Sequence, residues 1–184
     1  MQANAAYMQH TFALPCCGLA VKANADSVIS IAFAPHPTAS AALPQHALLQ
    51  QFAQELTAYL DNPQHTFTLP YTLTGTPHQQ QVWRAIAQIR AGQTSNYQAI
   101  AENIGSSARA VGTACGRNPL PILIPCHRII KKNGTLGGFN QKSTEGDLHT
   151  KQWLLAHERA LAAVETRQNG ILASDVYIKN PQTM

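Results

Sequence analysis

The sequence has no C-x-x-C pair, although it carries four cysteines, at positions 16, 17, 115 and 126. That absence argues against a thiol-oxidoreductase motif and against the ligand spacing of common zinc modules. Cys16 and Cys17 are neighbours that do not readily bridge to each other, so no disulfide framework is expected. Reduced thiols suit a cytoplasmic setting, and neither a metal nor a cofactor is expected. Long hydrophobic runs are missing too: none reaches the roughly 18 residues needed to cross a bilayer. The amino-terminal "MQANAAYMQHTFALP" has neither a basic start nor a following apolar block. A soluble chain without an export signal or a membrane partner is the expectation. Charged residues are scarce, at 12%, while 45% are hydrophobic, which excludes a disordered chain. The 184 residues allow one ordinary domain or two small ones.

What charge there is lies unevenly. Residues 1 to 75 hold one basic residue, Lys22, against Asp26, Glu55 and Asp61. Residues 82 to 132 hold Arg84, Arg90, Arg109, Arg117, Arg128, Lys131 and Lys132 against Glu102 alone. Such a segment either meets a polyanion, most often a nucleic acid, or is simply a solvated basic face.

The first third alternates short strand candidates, "HTFALP", "LAVKA" and "VISIAFA", with "CCG" and "NAD" as tight connections of an antiparallel meander. "LLQQFAQELTAYL" then puts Leu49, Phe52, Leu56, Tyr59 and Leu60 on one helical stripe. A boundary is placed near residue 75. Thr76, Pro77 and Gln79 form a capping box opening a helix with Val82, Trp83, Ile86 and Ile89 inward. "SNYQAIAEN" predicts a helix capped by Ser95 and closed by Gly105, and "SSARAVGTACGRN" restarts at once from a serine cap. Two helices so close together make a helix-turn-helix arrangement, in itself a weak signal. Ala108, Gly112 and Cys115 or Gly116 leave one face of the second helix almost without side-chain volume. Interior glycine costs roughly 0.5 to 1 kcal/mol against alanine, so Gly112 is expected to have a packing reason. Two readings stay open: tight contact with another helix, or entry into a DNA groove with Arg109 reaching inward. "PILIPCHRII" reads as a short buried strand, "KKNG" as a turn, and "GGFNQKSTEGDLHT" as a long polar loop. "KQWLLAHERAL" is the last helix; residues 163–184 are a tail or an added strand.

The chemistry centres on Cys126. A thiol attacks only as thiolate, and at a free pKa near 8.5 little is ionised at neutrality. His127 is the nearest base, although neighbours on a regular strand face opposite ways, so a bridging water or a bend after Pro125 is required. Glu158 shares a face with Leu154 and Leu161 and needs a partner if it turns inward. It either completes a Cys, His, Glu relay or pairs with an arginine.

"PCHRII", "NYQAIA", "ARAVGTACGRNP" and "KQWLLAHE" together closely resemble the O6-alkylguanine-DNA alkyltransferase family over roughly residues 75 to 160. The resemblance implies an α+β fold, with a small amino-terminal ribonuclease-H-like antiparallel sheet and helix over 1–75 and a mainly helical domain over 76–162 containing the helix-turn-helix. It implies direct, irreversible, stoichiometric transfer of an alkyl group from O6-alkylguanine, and from O4-alkylthymine, in duplex DNA to Cys126. On this basis His127 is the base, acting through water; Glu158 orients it; Tyr97 gives a proton toward the departing guanine; and Asn118 braces the segment before the cysteine. Arg109 fills the place of the rotated nucleotide in a protein working from the minor groove. Gln98, Ser107, Ala108, Arg117 and Lys132 are expected to contact DNA, and Pro121, Ile129, Phe139 and Asn140 to line the base pocket. The expected partner is double-stranded DNA bound by a monomer, alone or cooperatively. This chain departs from the family pattern in "NQKSTEGD" after Phe139 and in His78, where an aromatic residue is usual. A non-catalytic damage sensor is the alternative, which Cys126 disfavours; a transcription regulator is disfavoured because no effector domain precedes residue 75.

Overall fold

The computed structural model describes residues 7–36, 44–139 and 145–158. Strands β1 (Met8–Ala13), β2 (Gly18–Ala23) and β3 (Val28–Ala34) form an antiparallel meander in the order β1-β2-β3. The expected turns fall where they should. Asn24 accepts the backbone N–H groups of Asp26 and Ser27 through its side chain, at 2.9 and 2.7 Å, and so builds the second turn. Helix α1 (Ala47–Asp61) buries Leu48, Leu49, Phe52, Leu56 and Tyr59, and the Phe52 ring meets Phe12 of β1 at 5.2 Å. Full burial of a side chain such as Phe52 contributes about 2–3 kcal/mol toward holding α1 on the sheet.

Helix α2 (Pro77–Ala87) begins with the capping box read from the sequence: Thr76 accepts from the Gln79 N–H, and the Gln79 side chain accepts from the Thr76 N–H. Trp83 is fully buried and donates its indole N–H to Ala114 O at 2.9 Å, tying α2 to the fourth helix. The two-residue strand β4 (Ser95–Asn96) runs directly into α3 (Tyr97–Ile104). Its cap is Asn96, which accepts from the Ala99 N–H, not Ser95; Ser95 is drawn into pairing with Ile129. Gln98 donates to Glu102 one turn along α3 at 2.9 Å. Gly105 closes α3 in the left-handed conformation, and α4 (Ala108–Gly116) starts three residues later with Ser107 as its cap.

Of the two readings left open for the bare face, tight contact with another helix is not found at Gly112 among the described residues. A Cβ there would lie 3.8 Å from the Tyr97 ring, an ordinary van der Waals distance. Gly112→Ala is therefore expected to raise stability by about 0.5–1 kcal/mol, read as a higher denaturant midpoint.

The long polar loop expected over residues 137–150 is also shorter than expected. Helix α5 (Glu145–His157) begins six residues before Lys151, so part of "GGFNQKSTEGDLHT" is helical. Its polar composition hid it, because its inward face is made by Thr150 and Lys151 as well as by Leu154 and Leu155. Residues beyond Glu158, including the tail, lie outside the described residues, as does Asn140. No helix among the described residues is long and apolar enough to cross a membrane.

The first sheet and the later helices share one core, from Leu19, Val21, Phe52 and Tyr59 to Val82, Trp83, Ile100 and Leu154. Ile31 of β3 donates its N–H to Pro119 O at 2.8 Å, and the rings of Phe33 and Phe139 meet at 5.4 Å. The amino-terminal sheet is thereby packed against the segment that carries Cys126.

Candidate active site

Residues 121–130 do not form the regular strand that their apolar composition suggested. Pro121 and Pro125 have no N–H to give a ladder. The segment instead closes a turn, with Ile124 N–H donating to Leu120 O at 2.8 Å. Pro125 then leads into a 3₁₀ turn over Cys126–Arg128. Only Ile129–Ile130, strand β5, is extended, and it pairs in parallel with β4. With about three residues per turn, Cys126, His127 and Arg128 fan out instead of alternating across a sheet. This is the bend that the chemistry required.

Asn118 holds the segment from below. Its side-chain amide donates to Ile124 O at 2.8 Å and to Cys126 Sγ at 3.2 Å, while its Oδ1 accepts the Leu120 N–H at 3.0 Å. The turn it braces is strained: Ile122 has φ 76°, a region that a β-branched residue seldom enters. Such a conformation costs about 1–3 kcal/mol and persists where its surroundings dictate it.

Cys126 is only 7% exposed, and burial pushes its thiol above the usual value; the Asn118 amide and the Lys151 charge act the other way. His127 is buried. Burial lowers its pKa below 6.5, with the Glu158 carboxylate opposing the shift, so the imidazole is neutral near pH 7. Its Nε2 lies 3.0 Å from Glu158 Oε1. A carboxylate can only accept, so Nε2 carries the proton and Nδ1 keeps the free lone pair. Nδ1 is buried and bonds to no protein group. The relay thus has a basic nitrogen with accepting capacity left over.

Glu158 sits just past the end of α5, its N–H still bonded to Leu154 O at 3.0 Å. Of the two alternatives left open for it, the pairing with an arginine is realised, and Glu158 also bonds to His127. Oε1 accepts from Tyr59 OH at 2.8 Å, His127 Nε2 at 3.0 Å and Arg128 Nη2 at 2.7 Å, and Oε2 accepts from Arg128 Nε at 2.9 Å. The bidentate arginine fixes the carboxylate plane, and these donors hold the carboxyl well below the usual carboxylate range despite its burial.

Tyr97, first residue of α3, lies between two glycines. Its ring faces Gly112, and its hydroxyl would be 3.4 Å from a Cβ at Gly137, where φ is also positive at 68°. Burial, with Cys115 and Cys126 nearby, pushes the phenol up to about 12, so it stays a proton donor at neutrality.

Two open grooves flank α4. One, of about 460 Å³, is lined by Thr76, His78, Ser107, Arg109, Thr113 and Arg117 among others; the second, of about 380 Å³, by Tyr97, Gln98, Glu102, Ala108, Lys131 and Lys132. All six residues expected to contact DNA therefore line one groove or the other, with Arg109 exposed between them at the start of α4. His78 donates to or accepts from Ser106 Oγ at 2.8 Å, fastening the α2 terminus to the α3–α4 turn. Pro121, Ile129 and Phe139 are buried and line neither groove.

Residues 77–160 match the family model described as 6-O-methylguanine DNA methyltransferase, DNA binding domain. The inducible methylated-DNA–protein-cysteine methyltransferase of Bacillus subtilis is 44% identical over 109 residues, which are 56% of this chain and 61% of that protein. The Mycobacterium leprae methylated-DNA–protein-cysteine methyltransferase is 40% identical over 118 residues, 61% of this chain and 72% of its own length. The chain belongs to the O6-methylguanine-DNA methyltransferase family. The crystal structure of Mycobacterium tuberculosis OGT in complex with DNA is similar at a TM-score of 0.68 and 30% identity, covering 84% of this chain and 92% of that one. The chain spans about half to two thirds of the length of the first curated relatives it matches.

Two members of the cluster were not found by sequence reasoning. Lys151 is completely buried, and its Nζ donates to Ile129 O at 2.7 Å, to Gly138 O at 3.4 Å and to Leu136 O. Burial lowers its pKa to about 8, against the attraction of Cys126 and Cys115. The signal was present: Lys151 precedes Leu154 and Leu155 by three and four residues, on the face they bury. Tyr59 was assigned to the α1 core stripe, as it is, but its hydroxyl reaches a carboxylate 99 residues away.

Proposed function

We propose that this protein repairs DNA by transferring an alkyl group from O6-alkylguanine, and from O4-alkylthymine, in duplex DNA to Cys126. One observation carries the reading: Cys126, its thiol bonded to the Asn118 amide, shares a buried turn with His127, a neutral imidazole oriented by Glu158, inside the family's DNA-binding domain. The thiol hands its proton to His127 Nδ1 through one bridging water. The sulfur then attacks the alkyl carbon in line, forming an S–C bond as the C–O6 bond breaks. Guanine leaves with those electrons and receives a proton toward N3 from Tyr97. The product is a thioether that water does not cleave, so each molecule acts once and needs no cofactor.

The alkyl group lies inside the duplex, so the nucleotide must rotate out at a cost of a few kcal/mol. The low side-chain volume of α4 suits approach from the minor groove, where sequence reading is poor and a repair protein loses nothing by that. Arg109 fills the vacated position in the base stack, α3 and α4 act as the helix-turn-helix, and Gln98, Ser107, Ala108, Arg117 and Lys132 hold the backbone. Pro121, Ile129, Phe139 and Asn140 receive the base. Residues 1–75 form a ribonuclease-H-like support domain and 76–162 the acceptor domain. The protein works as a cytoplasmic monomer, with cooperative assembly along DNA as an option.

Incubation with a duplex containing O6-methylguanine should add one methyl mass to the peptide bearing Cys126. Binding of the damaged duplex with no adduct would overturn the reading in favour of a damage sensor. Arg109→Ala should slow transfer from duplex by about tenfold or more, since losing part of a few kcal/mol of extrusion offset is worth that much. Transfer from a free-base substrate should change little; equal slowing on both would remove Arg109 from the base stack.

A further inference from the structure

Cys16 and Cys17 belong to no part of the alkyl-transfer apparatus, yet their sulfurs stand 3.5 Å apart in the β1–β2 turn. The turn is built to stay so. Leu14 and Cys17 exchange two backbone hydrogen bonds, at 2.8 and 3.3 Å, across it. Gly18, the next residue, is packed so closely that a Cβ would come within 2.3 Å of Pro35 O. Cys16 is partly exposed and Cys17 is buried. Contact with Cys17 and burial push the Cys16 thiol up, contact with Cys16 holds Cys17 below the usual thiol value, and the Thr150 hydroxyl of α5 acts to lower both.

This geometry suits a bridging atom better than a disulfide. Adjacent Cα atoms are about 3.8 Å apart across a trans peptide, below the roughly 4.4–6.8 Å that a disulfide prefers. A thiophilic centre with metal–sulfur bonds of about 2.3 Å would span two sulfurs 3.5 Å apart at an angle of about 100°, close to tetrahedral or pyramidal values. No group of three or more His, Cys, Asp or Glu side chains that could hold a metal ion occurs among the described residues. The two thiols are therefore suited to a centre that needs only two protein ligands and brings its own third.

We propose that Cys16 and Cys17 form a vicinal dithiol site that captures monosubstituted trivalent arsenicals, separate from the alkyl-acceptor cysteine. The reaction is a condensation without redox change. An organoarsenous acid, R–As(OH)₂, exchanges its two hydroxyls for the two sulfurs; each thiol proton leaves with a hydroxyl as water, and arsenic stays trivalent. Cys17 ionises first, because the Cys16 sulfur 3.5 Å away holds it below the usual thiol value.

The test is titration of the full-length protein with phenylarsine oxide in the presence of excess monothiol, read by intact mass. One equivalent should be retained, resist the monothiol and be released by a 1,2-dithiol, because two-point attachment outcompetes single thiols by a factor on the order of 10². Cys16→Ser and Cys16→Ala should each lose that retention, as should Cys17→Ser, while Cys126→Ser and Cys115→Ser keep it. Cys16 is partly exposed, so its variants are expected to fold, and retained duplex binding verifies that they do. Retention that survives both Cys16 variants, or that disappears with Cys126→Ser, would overturn the proposal.

Discussion

Cys126→Ser is expected to bind a duplex carrying O6-methylguanine about as tightly as the wild type and to transfer no alkyl group. The side chain is 7% exposed and its sulfur accepts from Asn118 at 3.2 Å. A serine oxygen can accept the same bond, so the turn and the DNA face should survive at a cost of about 1 kcal/mol. The chemistry should not. Burial already opposes the thiolate, and Asn118 and Lys151 offset only part of that; a hydroxyl, which ionises far less readily than a thiol, gains too little from the same surroundings. Binding by gel shift and adduct formation by mass spectrometry separate the two effects. An adduct appearing on Cys115 in the variant would move the acceptor role away from Cys126. The wild type should also show the base. Because burial lowers His127 below 6.5, Nδ1 remains able to accept a proton throughout the neutral range. The single-turnover rate should stay level as pH falls to about 6.5 and decline only below it, where the imidazole becomes charged.

The elements of this fold were legible wherever a local rule governs them. The capping box at Thr76 and Gln79, the Gly105 terminus and the three strands punctuated by "CCG" and "NAD" are short-range features, and each appears where its residues placed it. Reading failed where distant contacts decide. The apolar run over residues 121–130 predicts a strand throughout, but Pro121, Pro125 and the Asn118 side chain convert most of it to a turn with Ile122 at positive φ. Ser95 lost the capping role to Asn96 because β4 needs it against Ile129. Lys151 and Tyr59 show the same limit from the other side. Each lies on an apolar face for good reason, and each ends in a polar atom whose partner comes from a different part of the chain. Periodicity can say that such a residue points inward, but not what its polar end will meet.

Glu158 is where these distant contacts converge, and its replacement should have the largest effect on stability. Glu158→Ala leaves the Arg128 guanidinium, which is 12% exposed, together with the Tyr59 hydroxyl and His127 Nε2, without their shared acceptor. Breaking a buried ion pair from one side costs about 3–5 kcal/mol. Glu158→Gln keeps the shape and one acceptor oxygen but turns an NH₂ toward donors, and should fall between the alanine variant and the wild type. Transfer should fail in both, because His127 loses the group that fixes which nitrogen carries its proton. The pH dependence gives an independent check. The folded carboxyl titrates below its unfolded value of 4.5, so its stabilisation is fully present above pH 4.5 and is lost as pH falls through the folded value. The stability gap between wild type and Glu158→Gln, measured by urea unfolding, should accordingly not narrow between pH 7 and 5, where protonation of His127 can only add to it, and should narrow as the acid range is entered. A gap that stays unchanged down to pH 2.5 would mean that the glutamate contributes through packing alone, and that the ion pair with Arg128 does not stabilise the fold.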